Sequence, residues 1–239
     1  MSIVVVTGTG TDVGKTVATA ALASRFAAKR GHRVAVVKPA QTGVAPGAPG
    51  DLAEVTRLSG VTDVHEYARY PDPLSPHHAA AVRGLPELDL ADVVRRLVDL
   101  DATHDTVIVE GAGGLLVPFT SSDRWTLADL AAALRAPAVV VTTAGLGTLN
   151  HTALTVGRLA EDGIALAGIV IGSWPAEPDL ATRCNVADLA ALGPDGRLAG
   201  ALPAGMASAG DFRARARAAL SARFGGTFSP AAFAAAHRG

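Results

Sequence analysis

Residues 3–16 read IVVVTGTGTDVGKT and place an apolar run, a glycine-rich turn and a Gly-Lys-Thr triplet in direct succession. The run Ile3–Val6 is rich in β-branched residues, which predicts a strand buried on both faces of a sheet. The Ala- and Leu-rich segment that follows predicts a helix. Strand, glycine turn and helix in this order are typical of a phosphate-binding loop, in which backbone N–H groups and the helix N-terminus hold phosphate oxygens. We therefore expect Lys15 to reach the β- and γ-phosphates of a nucleotide and Thr16 to ligate Mg²⁺.

The loop departs from the common spacing G-x-x-x-x-G-K-[ST] at one position. Thr9 stands where the first glycine is expected, whereas Gly8 precedes it and Gly10 lies inside the loop. The alternative is an ordinary strand–turn–helix corner that contains Gly-Lys-Thr by chance. The buried strand before the loop and the helix after it favour the nucleotide interpretation.

Composition indicates one α/β domain. The chain has 239 residues, of which 49% are hydrophobic and 4% aromatic. This length supports a large core, which we assign to residues 1–224, with residues 225–239 as a tail that forms either a short helix or a disordered segment. The net charge is −1 and basic residues form no block, so we expect no nucleic-acid surface.

Targeting and cysteine signals are weak. No apolar run reaches the roughly 18–20 residues that cross a bilayer, and the N-terminus lacks a positively charged leader region, so we expect a cytoplasmic protein without a membrane partner. The single Cys184 excludes an internal disulfide and a multi-cysteine metal site. A small residue on a helix is the favoured interpretation of Cys184 over a nucleophile.

Periodicity predicts alternating strands and helices. Strands are predicted at residues 3–6, 34–37, 106–109, 138–142, 166–171 and 198–202, and helices at 17–29, 52–58, 90–100, 127–134, 152–159, 180–192 and 212–224. Residues 60–88 are predicted to be irregular. This order predicts a mostly parallel, doubly wound sheet with helices on both faces.

Polar and glycine residues gather where strands end. These segments are Gly8–Thr16, Lys38–Thr42, Glu110–Gly113, Gly145–Asn150 and Gly172–Ser173. In open α/β sheets, ligands bind beyond the carboxyl ends of the strands. The five segments therefore predict one shared site.

The charged residues at these ends each leave two interpretations open. Glu110 follows a buried strand and either ligates a metal or caps backbone amides, and we favour the metal. Asp51, with Glu54 three residues on, resembles a helix cap more than a metal ligand on spacing alone. Lys38 is either a solvated edge lysine or a group that balances charge on a transferring phosphoryl group.

Three further features are equally ambiguous. Thr42 either binds a substrate or closes a turn with Gly43. The turn Gly145–Asn150 either holds a carboxylate on its N–H groups or is capped by Thr148. His77 and His78 are best interpreted as exposed loop histidines rather than site residues.

Several motifs together resemble one enzyme family. In order, they are Gly8-Thr9-x-Thr11-x-Val13-Gly14-Lys15-Thr16, Lys38-Pro39-x-x-Thr42-Gly43, Ser75-Pro76-His77, Glu110-Gly111-Ala112-Gly113-Gly114 and Leu146-Gly147-x-Leu149-Asn150-His151. This set, spread over about residues 2–210, is similar to the dethiobiotin synthetase family. The family's own loop has the form found here, which accounts for Thr9.

The resemblance implies a reaction. An amine of 7,8-diaminononanoate (diaminopelargonate) takes up CO₂ as a carbamate, the carbamate attacks the γ-phosphate of ATP, and the second amine closes the ring and expels phosphate. Such chemistry needs positioning and charge stabilisation rather than an activated Ser or Cys.

The resemblance also implies roles for residues. Lys15 and Lys38 would be catalytic, and Thr16, Asp51 and Glu110 would hold Mg²⁺. Nucleotide-binding residues would be Asp12, Val13, Gly14, Lys15, Thr16, Val17, Glu110, Gly111, Ala112, Gly113, Gly172, Ser173, Pro203, Ala204 and Gly205. Substrate-binding residues would be Thr11, Lys38, Thr42, Gly111 and Ala112, joined from the other subunit of a homodimer by Leu146, Gly147, Thr148, Leu149 and Asn150.

One departure from the family concerns the base. Many members have an Asn at the end of the fifth predicted strand, where Gly172 and Ser173 stand here. Asn is a natural bidentate partner for adenine. Its absence predicts relaxed base choice, with CTP or other triphosphates accepted beside ATP.

Two other classes of P-loop protein fit the sequence less well. An amidotransferase-type synthetase would need a glutaminase domain with a nucleophilic cysteine, for which the chain has no room. A ParA/MinD-like positional ATPase usually carries a second lysine early in the loop, and Val6–Thr9 has none. The four arginines of residues 213–223 are interspersed with alanine and predict a solvated face.

Overall fold

The computed structural model describes residues 2–193 and 197–237. Its strands are β1 (Ile3–Gly8), β2 (Val34–Thr42), β3 (Val64–Tyr70), β4 (Thr106–Gly114), β5 (Ala138–Thr142), β6 (Leu166–Trp174) and β7 (Leu198–Pro203). Its helices are α1 (Lys15–Ala27), α2 (Asp51–Ser59), α3 (Pro76–Arg83), α4 (Leu90–Asp101), α5 (Leu127–Ala133), α6 (Thr148–Glu161), α7 (Leu180–Ala191), α8 (Phe212–Ala219) and α9 (Pro230–Ala236). Short 3-10 turns cover Met206–Ser208 and Ala222–Phe224.

The strands form one sheet in the order β3-β2-β4-β1-β5-β6-β7, and every pair is parallel. This confirms the predicted α/β P-loop architecture. Each described crossover carries helical chain, so both faces are covered, which parallel strands require because both of their faces are apolar.

Alternation along β1 divides the core in two. Val4 and Val6 face the layer of α1, α2 and α8, whereas Ile3 and Val5 face the layer of α4, α5 and α7. The alanines of α1 let that helix lie close to the sheet. Because β1, β2 and β4 are parallel, their carboxyl ends lie at the same edge of the sheet.

The prediction of an irregular segment at residues 60–88 is wrong. It contains β3 at the edge of the sheet and α3 beyond it. β3 reads VHEYARY and is only half-buried over most of its length, because it hydrogen-bonds to β2 alone. An edge strand with polar residues lacks the apolar run on which the prediction relied.

Two other bounds differ from the prediction. β2 continues through Lys38 to Thr42, where it pairs with β3 only. The predicted terminal helix at 212–224 ends at Ala219 and is followed by a 3-10 turn. The described part of the tail carries the helix α9 rather than a disordered segment.

No helix within residues 2–193 and 197–237 is long and apolar enough to cross a membrane. Cys184 lies exposed on α7, in agreement with the favoured interpretation.

Candidate active site

The phosphate-binding loop wraps the start of α1. Gly14 is the N-cap and has a φ of 94°, a conformation that side chains rarely adopt. A Cβ on Gly14 would lie 2.7 Å from the carbonyl oxygen of Gly172, so the loop is packed against the end of β6. Lys15 folds back and donates to the Gly10 carbonyl at 2.8 Å. The loop therefore leaves its N–H groups and the N-terminus of α1 as an anion-binding concavity.

Lys38 lies at the centre of a buried ionic cluster. Its Nζ is 2.7 Å from Asp51 Oδ2 and 2.7 Å from Glu110 Oε1. Lys38 is 3% exposed and Glu110 1%, whereas the Asp51 side chain is 35% exposed. Lys38 also donates to the Gly111 carbonyl at 3.1 Å. The solvated-lysine interpretation of Lys38 is therefore wrong.

The two lysines have pKa values shifted in opposite directions. For Lys38, burial favours the neutral amine, but the carboxylates of Glu110 and Asp51 outweigh burial and raise its pKa. For Lys15, burial and then the charge of Lys38 lower the pKa. The two carboxylates thus favour the charged form of Lys38, whereas burial and the neighbouring Lys38 disfavour the charged form of Lys15.

Glu110 and Thr16 fit a divalent cation. Thr16 Oγ1 donates to Glu110 Oε1 at 3.0 Å. The second carboxylate oxygen, Oε2, is buried and receives no hydrogen bond from the described part of the chain. Within that part, no group of three or more His, Cys, Asp and Glu side chains is placed to hold a metal ion. The donor set is therefore two carboxylates and a hydroxyl, which are the hard oxygen ligands that Mg²⁺ prefers.

Two capping interpretations are wrong. The N-cap of α2 is Gly50, with no side-chain cap, so Asp51 is free to pair with Lys38. Glu110 pairs with Lys38 and Thr16 rather than with backbone amides.

A cleft of about 890 Å³ opens above this cluster. It brings together the ends of β1, β2 and β4 and the start of α2. Its lining includes the predicted residues Thr11, Asp12, Gly14, Lys15, Thr16, Val17, Lys38, Thr42, Asp51, Glu110, Ala112 and Gly113. Most of the residues predicted for phosphate, metal and substrate thus share one cavity.

Sequence reasoning missed several lining residues, among them Gln41, Pro73, Leu74 and Val117. Gln41 is informative because its Oε1 accepts the Asp51 N–H at 2.8 Å and so fixes the start of α2. A single glutamine ten residues before a helix gives no local signal. The lining at Pro73 and Leu74 depends on the edge strand β3, which was itself not predicted.

The remaining predicted residues lie outside the lining. Gly172 and Ser173 lie near the end of β6, behind the phosphate-binding loop. Pro203 pairs with Trp174, and Ala204 N donates to Trp174 O at 2.7 Å. Val13 is buried beneath the loop, and Gly111 under the Lys38 ammonium.

The turn Leu146–Asn150 stands apart from the cleft and faces solvent. Leu146 is 91% exposed. Gly147 is the N-cap of α6, and Thr148 Oγ1 donates to the Thr143 carbonyl at 2.7 Å, so the alternative in which Thr148 caps the helix is wrong. The Asn185 side-chain amide donates hydrogen bonds to the carbonyls of Ala144 and Gly145, each at 3.0 Å, and so holds the turn in place.

His77 corrects another expectation. It is buried on α3 and its Nδ1 donates to the Pro118 carbonyl at 3.1 Å, so it is not an exposed loop residue. Its ring lies 3.9 Å from the ring of His78, which is exposed, at a tilt of 32°. Neither lines the cleft.

Comparisons with known proteins agree with this geometry. A family profile described as an AAA domain matches residues 3–207. A Rhodococcus jostii protein named ATP-dependent dethiobiotin synthetase BioD is 65% identical over 206 residues, or 86% of this chain and 87% of that one. Proteins of the same name from Frankia casuarinae and Streptomyces coelicolor are 56% and 50% identical, over 98% and 99% of both chains.

Solved structures show the fold alone. The apo McdA structure from Cyanthece matches with a TM-score of 0.53 at 14% identity, over 87% of this chain and 88% of that one. Fold and phosphate-binding loop define the class: this is a P-loop nucleoside-triphosphate-dependent protein. Within that class, the identities above place the chain more narrowly. It belongs to the ATP-dependent dethiobiotin synthetase family.

Proposed function

We propose that this chain catalyses the ATP-dependent carboxylation and ring closure of 7,8-diaminononanoate, which yields dethiobiotin, ADP and phosphate. The observation that carries the proposal is Lys38, held between Asp51 and Glu110 in the cleft that Lys15 also lines. A carbamate formed on one amine is already a nucleophile. The protein therefore needs to align it with the γ-phosphate and to balance the charge that develops.

Each end of the reaction has its own residues in this proposal. The loop from Asp12 to Val17 holds the triphosphate, and Lys15 neutralises its terminal oxygens. Lys38 contacts the carbamate and the transferring phosphoryl group. Thr11 and Thr42 bind the diamine, with the backbone of Gly111 and Ala112 beside it.

Thr16, Asp51 and Glu110 would hold Mg²⁺, whose chemistry here is to neutralise phosphate oxygens and to orient them. The unpartnered Oε2 of Glu110 supports this assignment. Asp51 is the more exposed of the two carboxylates and so the more easily redirected from Lys38.

Relaxed base choice belongs to the same proposal. A Cβ at Gly172 would lie 1.9 Å from the Val13 carbonyl oxygen, so an adenine-reading Asn would force the loop to move. Turnover measured with ATP, CTP, GTP and UTP tests this. We expect CTP to support turnover within about tenfold of ATP, and a much stronger preference for ATP would contradict the prediction.

The proposal also includes a homodimer in which Leu146–Asn150 of one subunit binds the substrate carboxylate of the other. The exposed side chains of Leu146 and of Leu154, which is 65% exposed, support this, as does the absence of the turn from the described lining of the cleft.

The test of the whole proposal is phosphate release from ATP and Mg²⁺ by the purified chain. We expect release to require both the diamine and bicarbonate and to yield dethiobiotin by mass. Release stimulated by DNA or lipid vesicles instead would contradict it and would support a positional ATPase.

A further inference from the structure

Helix α9 and the segment before it form an aromatic cluster on the last residue of β6. The Phe233 ring meets the Trp174 ring edge-on at 4.8 Å, and the His237 ring meets it at 4.7 Å. Phe228 packs on Phe233 at 5.1 Å. The chain has two tryptophans and six phenylalanines, and one of the tryptophans and two of the phenylalanines lie in this cluster. So dense an aromatic contact in an aromatic-poor chain indicates a fixed position for Trp174.

Trp174 is joined to the nucleotide side of the site by backbone contacts. Two residues before it, Gly172 is so close to the phosphate-binding loop that a Cβ there would meet Val13 O at 1.9 Å. From the other side, a Cβ on Gly14 would meet Gly172 O at 2.7 Å. The Trp174 carbonyl also accepts from Ala204 N at 2.7 Å. The end of β6 thus packs against the phosphate-binding loop, and Trp174 fixes the position of this end of the strand.

We propose that helix α9 is a brace for the nucleotide half of the site: Phe233 and His237 hold Trp174, and Trp174 holds the β6 end against Val13–Gly14. The contact with the loop stands on geometry, and its effect on the reaction rests on the proposed function. The ends of β2 and α2, which carry Lys38 and Asp51, make no described ring contact with this cluster. Loss of the brace therefore weakens nucleotide binding and leaves diamine binding unchanged.

The test uses the full chain with Phe233→Ala, and calorimetric titration with ATP and with CTP in the presence of Mg²⁺. We expect Kd for the nucleotide to rise about fivefold, with the KM for the diamine unchanged. Phe233→Tyr keeps the ring and is expected to restore Kd. His237→Ala removes one of the two ring contacts to Trp174 and is expected to raise the nucleotide Kd by a smaller factor. This second variant tests the proposal if Phe233→Ala does not fold.

Phe26→Ala is the matched control, because Phe26 is also half-buried and lies near the far end of α1. It is expected to leave Kd unchanged. The inference is overturned if Phe233→Ala lowers only the melting temperature, if Phe26→Ala raises Kd equally, or if the diamine KM rises with Kd. A wild-type chain that binds nucleotide without diamine-dependent turnover would refute the proposed function alone, since the Kd comparison would still decide the brace.

Discussion

Lys38 is a charged residue whose surroundings are almost closed to water. Sequence places it at the end of a short apolar run, and nothing local says whether its ammonium is solvated. The answer comes from Asp51 and Glu110, which are 13 and 72 residues further along the chain and both approach to 2.7 Å. Long-range pairing of this kind cannot be derived from spacing, although the resemblance to a family indicated which residues would meet.

Replacing Lys38 with Met keeps the length of the side chain and removes its charge. We expect kcat to fall by at least about 100-fold, because developing negative charge loses its cation. The free energy of unfolding should fall by about 3 kcal/mol, because Glu110 is left buried without a cation. Steady-state kinetics and urea unfolding measure both effects. Lys29→Met, at an exposed lysine, is the control, and equal effects from the two variants would contradict the assignment.

Lys15 is expected to have the opposite effect on stability when the protein is measured without nucleotide. Its pKa is lowered, chiefly by burial, so the protonated side chain destabilises the fold at neutral pH. Lys15→Met should therefore raise the free energy of unfolding at pH 7 while abolishing nucleotide binding. The gain should shrink as the pH rises towards 10.5, the usual lysine value, because wild-type Lys15 then loses its proton. Urea unfolding without nucleotide at pH 7 and pH 10 measures this, and a variant less stable than wild type would contradict it.

The stabilisation by Lys38 has the reverse dependence on pH. Because its pKa is raised in the folded protein, its contribution is complete below 10.5 and is lost as the pH rises through the higher folded value. The two lysines therefore report on the same site with opposite signs.

At the scale of elements, the buried strands were predictable and the edge strand was not. β1, β4 and β5 each contain a continuous run of apolar residues, which is typical of strands buried in a parallel sheet. β3 carries His, Glu, Tyr and Arg on a half-buried edge, and its apolar signal is interrupted. Because residues 60–88 were predicted to be irregular, α3 and the burial of His77 on it were not predicted either. Positions that depend on these elements, such as Pro73 and Leu74 in the cleft, could not be predicted.

The turn before α6 gives an element-scale prediction. Leu146 is 91% exposed in the single chain, so Leu146→Asp should not alter the folding of one subunit. If the turn completes the site of a second subunit, the variant should shift the protein from dimer to monomer and raise the diamine KM at least about tenfold. Light scattering and kinetics measure this. Leu180→Asp, at a leucine of α7 that is 62% exposed, is the control, and a Leu146→Asp protein with wild-type assembly and KM would contradict the prediction.

For the whole molecule, one physical arrangement explains the site. A parallel sheet brings the carboxyl ends of β1, β2 and β4 to one edge. The phosphate-binding loop follows β1, Lys38 lies on β2 and Glu110 lies on β4, so these groups meet in the cleft. The fold alone is shared with the apo McdA structure at 14% identity, so it does not define the reaction. The reaction follows from the paired charges within the cleft and from family membership.

In the mechanism we propose, a carbamate oxygen attacks the γ-phosphorus within this cleft. The most direct measurement supplies ¹⁸O-labelled CO₂ with the diamine, ATP and Mg²⁺ and determines the isotope content of the phosphate released. Because the attacking oxygen leaves with phosphorus when the ring closes, we predict the transfer of one labelled oxygen to phosphate for each dethiobiotin formed. Phosphate that carries no label while dethiobiotin accumulates would rule out attack by the carbamate oxygen.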